Sequence, residues 1–485
     1  MVGNGLLDLG EARFSRLTDA QCERLKDACL QILERTGLRL YDQEALDLVR
    51  RAGVAVEDGN RVRLPAKLVE WAIRTAPKHV QLYDRNGRPA IDVGGSRTCF
   101  GQGSDCLKIV DHRTNVRREP LLQDVRDAAR LGDALENVDF IMSSFLPTDV
   151  DKTTADRYQM EAMLENTTKP IVFVAYDTPG CLDALEMAEA VAGGREALAE
   201  RPFVACYINV ATSLRQNQEA LQKLLLLAER NLPSCYVPGS TAGAVSPVTV
   251  AGSNAWRFAG SLAGLTLAQL KREGAPVLMA GWAALALDLK TTTLPYTGPD
   301  HQGVTQALAH YLELPMFSLG GASDAKAVDQ QAAAEAALTL LINAVMGGQL
   351  VHDLGYLESG MTGSLAQLAI CDEIVAWCKR ATGAVEIDDE TLALDLVDQT
   401  GPDGQYLTSE HTLAHFREQW YPGLFERYNY PAWVARGSKT LAERAGERVD
   451  KLLAGHKPEP LPPGVAERVH AVVERAAATR AAGPA

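Results

Sequence analysis

The sequence predicts an α/β protein: a (β/α)8 TIM barrel with an N-terminal helical and β-hairpin extension and C-terminal helices. Three observations predict it. Eight short apolar runs read as strands, and helical stretches separate the later ones at a near-regular interval. The runs are apolar on both sides, so both faces of the sheet are covered, as in parallel sheets with helical crossovers. Nearly all of them end in glycine or small polar residues, which suits βα turns that pass close to a ligand. An open doubly wound sheet is the alternative that the same rhythm leaves standing.

The chain divides into an extension over 1–97, the barrel over 98–380 and a C-terminal helical part over 381–485. Thr18 and Gln21 match a capping box ahead of Leu25, Cys29, Leu30 and Ile32 at helical spacing. Asp42 precedes a helix from Ala45 to Ala52, and Pro65 starts another from Ala66 to Ala76. The period then changes. Val80 to Asp84 alternates, Asn86-Gly87 is a hairpin turn and Pro89 to Val93 returns, giving a small sheet or cap on the main domain.

The strand candidates are Thr98 to Gly101, Val138 to Phe145, Ile171 to Tyr176, Phe203 to Val210, Cys235 to Val237, Pro276 to Ala280, Met316 to Leu319 and Leu350 to Asp353. Helices are expected at Leu122 to Ala134, Leu182 to Ala192, Gln218 to Glu229, Ser253 to Lys271, Gln302 to Leu312 and Ala325 to Val345. The charged run Val110 to Leu121 reads as a hairpin. Gly320-Gly321 follows a strand and precedes a helix capped near Ser323 or Asp324, so this region is one complete βαβ unit. Beyond Ala366 come a helix to Arg380, an acidic stretch, and an aromatic block from Trp420 to Trp433. That block is expected to be a helix pair packed on the barrel. A charged helix (Ser438 to Ala454), a proline-rich link and a last helix follow.

Composition excludes several classes. A net charge of -14 and a pI near 5.2 argue against a general nucleic-acid surface. The nine cysteines lack tight metal-ligand spacing, no long charge-free apolar run spans a membrane, and no secretory segment stands near Met1; a cytoplasmic protein is expected. Gly101-Gln102-Gly103 lacks the third glycine of a dinucleotide fingerprint. His411 and His415 stand four apart, but beside Phe416 they are expected to cap or pack, and no metal site is expected.

The chemistry should collect at the strand ends. His352 is either a buried, hydrogen-bonded histidine or a group facing the mouth, and strict alternation sends Asp353 to the opposite side of its strand. His301 opens a helix whose N-terminus favours the neutral imidazole. Asp324 is either an N-cap or functional; Lys326 and Asp329 follow it. Phe100, Trp282, Tyr296 and Tyr356 are aromatics at strand ends, where rings select a quaternary ammonium by cation–π attraction.

The runs Gly320-Gly321-Ala322-Ser323-Asp324-Ala325-Lys326 with Asp329-x-Gln331, and Leu350-Val351-His352-Asp353-x-Gly355-Tyr356-Leu357-Glu358-x-Gly360-Met361-Thr362, resemble the trimethylamine methyltransferase family. Gly101-x-Gly103-Ser104-Asp105 resembles it too. No nonstandard residue stands within 316–362, so the resemblance is to the branch without pyrrolysine, which includes glycine betaine enzymes. It implies a (β/α)8 barrel that moves a methyl group from a quaternary amine, glycine betaine above others, to the Co(I) of a partner corrinoid-binding protein. No cofactor is then tightly bound, the cobalamin-type corrinoid arriving with its partner. Proline betaine, carnitine or γ-butyrobetaine are other substrates, and a non-catalytic amine-binding or corrinoid-protein-binding barrel is the alternative of a different class. On that basis His352, Asp324 and Asp105 are the expected catalytic residues. Phe100, Gln102, Tyr356, His301, Tyr296, Trp282, Asn209 and Lys326 are expected to bind substrate, and Gly320, Gly321, Ser323 and Glu358 to face the corrinoid. Neither nucleic acid nor membrane is an expected partner; assembly with further copies of the chain is left open.

Overall fold

Seven strands form one parallel sheet in the computed structural model, which describes residues 14–282 and 285–481. They are β1 (Cys99–Gln102), β2 (Ile171–Val174), β3 (Val204–Val210), β4 (Ser234–Pro238), β5 (Val277–Ala280), β6 (Met316–Leu319) and β7 (Leu350–Leu354). Their spatial order is β1-β7-β6-β5-β4-β3-β2. The expected run Val138 to Phe145 does not join the ladder as a strand. It makes only isolated bridges, Phe140 with Gly101 and Phe145 with Cys106 on one side and Ile141 with Ile171 on the other. The sheet is therefore a seven-stranded half-barrel and not the closed eight-stranded ring. Backbone bonds reach both neighbours, as from the Asp139 N–H to the Phe100 carbonyl and from the Val172 N–H to the Ile141 carbonyl, but side chains take other backbone groups: the Phe100 N–H donates to the Asp139 carboxylate at 2.8 Å, and the Lys169 ammonium donates to the Val138 carbonyl at 2.6 Å. Ser144, at φ 58, then ends the extended run.

Alternation along these strands sorts their side chains into two layers. Phe140, Val172, Ala205, Cys235, Leu278, Phe317 and Leu350 share an inner cluster with Val80, Leu82, Ile91 and Val93 of the hairpin Val80–Tyr83/Pro89–Val93. The hairpin thus packs into the sheet's concave side. Its turn is held by Asp84, whose carboxylate accepts from the Asn86 and Arg88 N–H groups, and Gly87 supplies the left-handed residue at φ 80. The intervening residues, such as Phe100, Phe173 and Ile208, pack outward in the larger cluster with the helices.

The capping box at Thr18 and Gln21 is formed in both directions, at 3.3 and 2.9 Å, and opens the helix Asp19–Gln31. That helix and Ala66–Thr75 both pack on the long helix Val250–Lys271. Leu122–Ala134, Thr178–Ala192 and Gln218–Arg230 are helices as their periodicity predicts, and Lys108–Val110 pairs with Arg117–Arg118 as a hairpin. The helix after β6 is a correction. It runs Gln330–Met346, and its N-cap is Asp329, whose carboxylate accepts from the Ala332 N–H at 3.1 Å. Ser323 and Asp324 stay in the loop because other side chains hold them there.

The helix Leu441–Gly455 packs on Leu365–Thr382, and Val465–Ala481 packs on Ala155–Asn166 and Thr178–Ala192. Between them, residues 383–440 hold only short helices with no buried residue, so the expected helix pair is absent. Among the described residues no helix is long and apolar enough to cross a membrane.

Candidate active site

The C-terminal ends of β3, β5, β6 and β7 bring four rings together. Strand alternation aims Tyr207 (β3), Phe317 (β6) and His352 (β7) inward, and Trp282 follows β5 on the same side. His352 stacks on Phe317 at 4.0 Å between centroids and lies 5.0 Å from Trp282 and 5.7 Å from Tyr207. Its Nδ1 is 2.6 Å from the Ser318 carbonyl, an acceptor, which places the proton on Nδ1 and leaves Nε2 as a lone pair. Burial pushes the imidazole down from its ordinary 6.5 to about 3, so the ring is neutral at physiological pH.

Asp353 breaks the alternation expected of it. Its φ of 85 is left-handed, the register with β1 shifts between Val351 and Leu354, and its carboxyl ends 3.5 Å from His352 Nε2 instead of on the far side of the strand. Burial raises that carboxyl well above the usual carboxylate range. Gly103 faces it so closely that a Cβ there would sit 2.3 Å from Asp353 Oδ1, and the Tyr356 ring fills the other side.

Arg257, on the helix Val250–Lys271, is the buried cation of this region. Its guanidinium lies 4.4 Å above the Trp282 ring and donates to the Trp282 carbonyl at 2.8 Å, and burial lowers its pKa to about 10. Trp282, Tyr296, His301 and Leu319 line a hollow of about 200 Å³. His301 is neutral as expected, though its cause is burial rather than a helix N-terminus, since the next helix starts only at Val304. Its Nδ1 lies 3.3 Å from Asn254 Nδ2.

Several expected site residues lie elsewhere. Phe100 and Gln102 sit on the outward side of β1; Phe100 is in the helix-layer core, and the Gln102 amide donates to the Ala128 carbonyl at 2.6 Å. Tyr356 donates to the Ser104 carbonyl and packs over Gly103. Asp324 is a loop clamp: its carboxylate accepts from the Tyr296 and Thr297 N–H groups, the Thr297 hydroxyl and Ser359. Lys326 is exposed and bonds the Asp324 carbonyl. Ser323 donates to Glu335 at 2.6 Å, a Cβ on Gly320 would meet Asn343, and one on Gly321 would meet Leu354, so these three face protein instead of a cofactor. Glu358 is pinned by Arg117 at 2.7 Å and by Thr362. Asp105, at φ 64, accepts from Gln159 at 2.7 Å and Ser143 at 3.1 Å; burial still raises its carboxyl. Asn209 is exposed at the end of β3.

Tyr207, Arg257 and Phe317 were missed. The signal for Tyr207 was present, since Ala205, Tyr207 and Asn209 alternate along one strand; Arg257, inside a helix, gave none. Among the described residues the one group close enough to share a metal ion is Glu390, His411 and His415, in the 383–440 stretch. There both His415 nitrogens face carboxylates, Glu418 at 2.8 Å and Glu390 at 3.4 Å, which accounts for the cluster as ion pairs.

Comparison with known proteins finds that residues 8–481 match the family model described as trimethylamine methyltransferase (MTTB). Trimethylamine methyltransferase MttB of Desulfitobacterium hafniense (strain DSM 10664 / DCB-2) is 32% identical over 98% of this chain and 96% of its own length. Glycine betaine methyltransferase of D. hafniense (strain Y51) is 28% identical over 95% and 97%. Among solved structures, monomethylamine methyltransferase (MtmB) of Methanosarcina barkeri superposes with a TM-score of 0.51 at 13% identity, covering 92% of this chain and 89% of that one. That likeness concerns the fold.

Proposed function

The chain belongs to the trimethylamine methyltransferase family, and from that premise we propose that it moves a methyl group from a small quaternary amine, glycine betaine above others, to the cobalt of a separate corrinoid protein. The observation that carries this reading is the meeting of Tyr207, Trp282 and Phe317 around a neutral His352, with the buried Arg257 against Trp282. The reduced corrinoid of the partner supplies the nucleophile; the chain's own residues bind, orient and desolvate the methyl donor.

A quaternary nitrogen already carries its charge and leaves as a neutral amine, so no proton need be delivered to it. Ring faces suit such a donor. They attract the cation by their quadrupoles, yet they do not anchor charge as firmly as a touching carboxylate would while it fades from nitrogen. A neutral imidazole adds a polarisable face without repelling the ammonium. Arg257 offers a carboxylate-bearing substrate its positive charge. A hollow of about 200 Å³ beside Trp282 and Tyr296 suits a compound of a few heavy atoms. The hollow lies beside Trp282 and Tyr296, and none of Phe100, His352 and Tyr356, the strand-end residues around which it was expected, lines it.

The 32% relative named for trimethylamine favours a second substrate, and one panel separates the two. Purified chain with a reduced corrinoid acceptor is given glycine betaine, tetramethylammonium and trimethylamine, and methylation is followed by absorbance. Glycine betaine should turn over fastest, with dimethylglycine accumulating. Arg257→Met should raise its KM about 100-fold, near 2.7 kcal/mol, and leave tetramethylammonium within a factor of a few. Turnover of trimethylamine alone overturns the substrate assignment, and binding of all three without methylation returns the reading to a binding protein.

A further inference from the structure

The N-terminal extension helps to set three arginines side by side. Its strand Leu38–Leu40 pairs with Arg61–Val62 on one edge and with Arg215–Gln216 on the other. The register puts Arg61, Arg39 and Arg215 in one row across the three strands. Leu38, Leu40, Val62 and Gln216 are buried, so alternation leaves the row on the open face. Like charges directly opposite one another across strands repel, and here two such pairs adjoin. Neutral groups hold the row in place. Asn60 accepts from Arg39 at 2.7 Å, the Thr36 carbonyl accepts from Arg61 at 2.6 Å, and Arg215 lies 5.8 Å from the Tyr41 ring centroid. Among the described residues the one carboxylate that pairs with the row is Asp58, 3.8 Å from Arg39 and 64% exposed.

The row is one wall of a groove. Arg39, Arg61 and Arg215 line a hollow of about 370 Å³. It shares Thr36 and Leu214 with a second hollow, of about 860 Å³, whose walls include Arg24, Arg35 and Trp256. Among the described residues Asp27 is the one acid lining either, against five arginines, in a chain whose net charge is -14. Each hollow exceeds the one beside Trp282, and the charges are spread along both. That shape suits an extended acidic segment of a protein rather than a single small anion.

The position says which protein. Arg215 lies on the loop that leaves β3 and Pro247 on the loop that leaves β4, so the groove borders the end of the sheet where Tyr207, Trp282, Phe317 and His352 meet. Hydrogen bonds fix it there. The Tyr236 phenol on β4 donates to Gln216 at 2.6 Å, the Gln216 amide donates to the Gly260 carbonyl at 3.0 Å, and the Arg39 N–H donates to the Leu214 carbonyl at 2.9 Å. A partner that comes to this end, accepts a methyl group and leaves is served by exposed charge, which speeds encounter without permanent adhesion. We propose that the arginine-lined groove docks an acidic segment of the corrinoid protein at the rim of the mouth. The identity of the partner rests on the methyl-transfer reading above; the acidity of its segment rests on the groove.

Two acceptors separate docking from chemistry. Methyl transfer from the amine that turns over is followed to the reduced corrinoid protein and to free cob(I)alamin, for wild type and for the triple variant Arg39→Gln, Arg61→Gln, Arg215→Gln. The triple variant should raise the KM for the corrinoid protein about 30-fold at low salt, with transfer to free cob(I)alamin within about twofold of wild type. Raising NaCl from about 50 to about 500 mM should cut kcat/KM for the corrinoid protein about tenfold in wild type and hardly at all in the variant. Replacing all three by lysine should recover most of the loss. The glutamine variant should melt no lower than wild type, because it removes like-charge repulsion. Binding of the corrinoid protein without amine, measured by sedimentation, should weaken by the same factor as the KM rises. An unchanged KM for the corrinoid protein in the glutamine variant overturns the inference, and so does an equal loss with free cob(I)alamin. A shift of the chain itself from dimer to monomer with that KM unchanged assigns the groove to a second copy. If no amine is demethylated but the corrinoid protein still binds through the row, the methyl-transfer reading falls and the docking stands. If the corrinoid protein does not bind, the docking falls whatever the amine panel shows.

Discussion

The mouth of the sheet and the 383–440 stretch use the same side chains to opposite ends. In the mouth, Tyr207, Trp282, Phe317 and His352 come from four strand ends far apart in sequence and are packed ring against ring, with Arg257 4.4 Å over Trp282. In the C-terminal stretch, Trp420, Tyr421, Tyr428, Tyr430 and Trp433 are near neighbours in sequence. Arginines cover rings there too, Arg427 over Trp420 and Tyr421 and Arg436 over Tyr428, but Tyr421 is 67% exposed and Tyr430 73%. The pairings are alike and the medium is not. A cation over a ring in water gains about 0.5–1 kcal/mol, and one stripped of water about 2. What makes the mouth a candidate for cation chemistry is desolvation imposed by the sheet rather than the number of rings.

The largest expected effect tests that desolvation directly. Trp282→Leu keeps the volume apolar and removes the ring shared by Arg257, His352 and the hollow. The KM for tetramethylammonium should rise about 30-fold, the equivalent of roughly 2 kcal/mol, with little change in far-UV dichroism. A KM within threefold of wild type would mean that the rings of the mouth are packing only, no different in kind from those of the 383–440 stretch.

The second effect is a pH dependence that only the mouth predicts. His352 has its folded pKa lowered from 6.5 to about 3, so the unfolded chain takes up a proton there below pH 6.5 and the folded chain does not; stability is lost as pH falls through that window. Asp353 has the opposite sign. Its folded pKa is raised above the ordinary 3.8, so the folded chain keeps a proton that the unfolded chain has given up, and stability is lost as pH rises from about 4 toward the folded value. Between about pH 4 and 6.5 the two states bind equal numbers of protons at this pair, and its contribution is flat. Each single variant should expose the partner's slope, about 1.4 kcal/mol per pH unit. Asp353→Asn should lose stability as pH drops below 6.5, and His352→Phe should gain it. Urea titrations at several pH values read both slopes. Parallel profiles for the two variants would show that neither group is held in the neutral form.

Most of the central sheet was legible in sequence because strands covered on both faces are continuous apolar runs ending in glycine. Val138 to Phe145 was misread for a definite reason: its composition is that of a strand, but Asp139 and Lys169 take up backbone groups that a ladder would have used. The site was less legible. His352 was found because a histidine ending an apolar strand stands out, and Trp282, Tyr296 and His301 because they follow strand ends. Phe100 and Gln102 were placed in the mouth by sequence position alone, when one residue of register decides which layer a side chain joins. Asp353 was sent outward by an alternation that its own left-handed backbone breaks. Arg257 lies mid-helix, where a charged residue in sequence reads as solvated.

The smallest effect belongs to the 383–440 stretch and completes the contrast. Tyr421→Ser and Tyr430→Ser remove rings whose edges already face water and whose helical neighbours bury nothing. Each should change the stability of the isolated chain by no more than about 0.5 kcal/mol, the range of surface substitutions away from caps and cores, and should leave the KM for tetramethylammonium unchanged. Chemical denaturation of the two variants against wild type measures the first, and the methylation assay the second. A loss of 2 kcal/mol or more from either would mean that the rings of the 383–440 stretch are covered in solution, and that burial, the property separating the two regions, is shared by both.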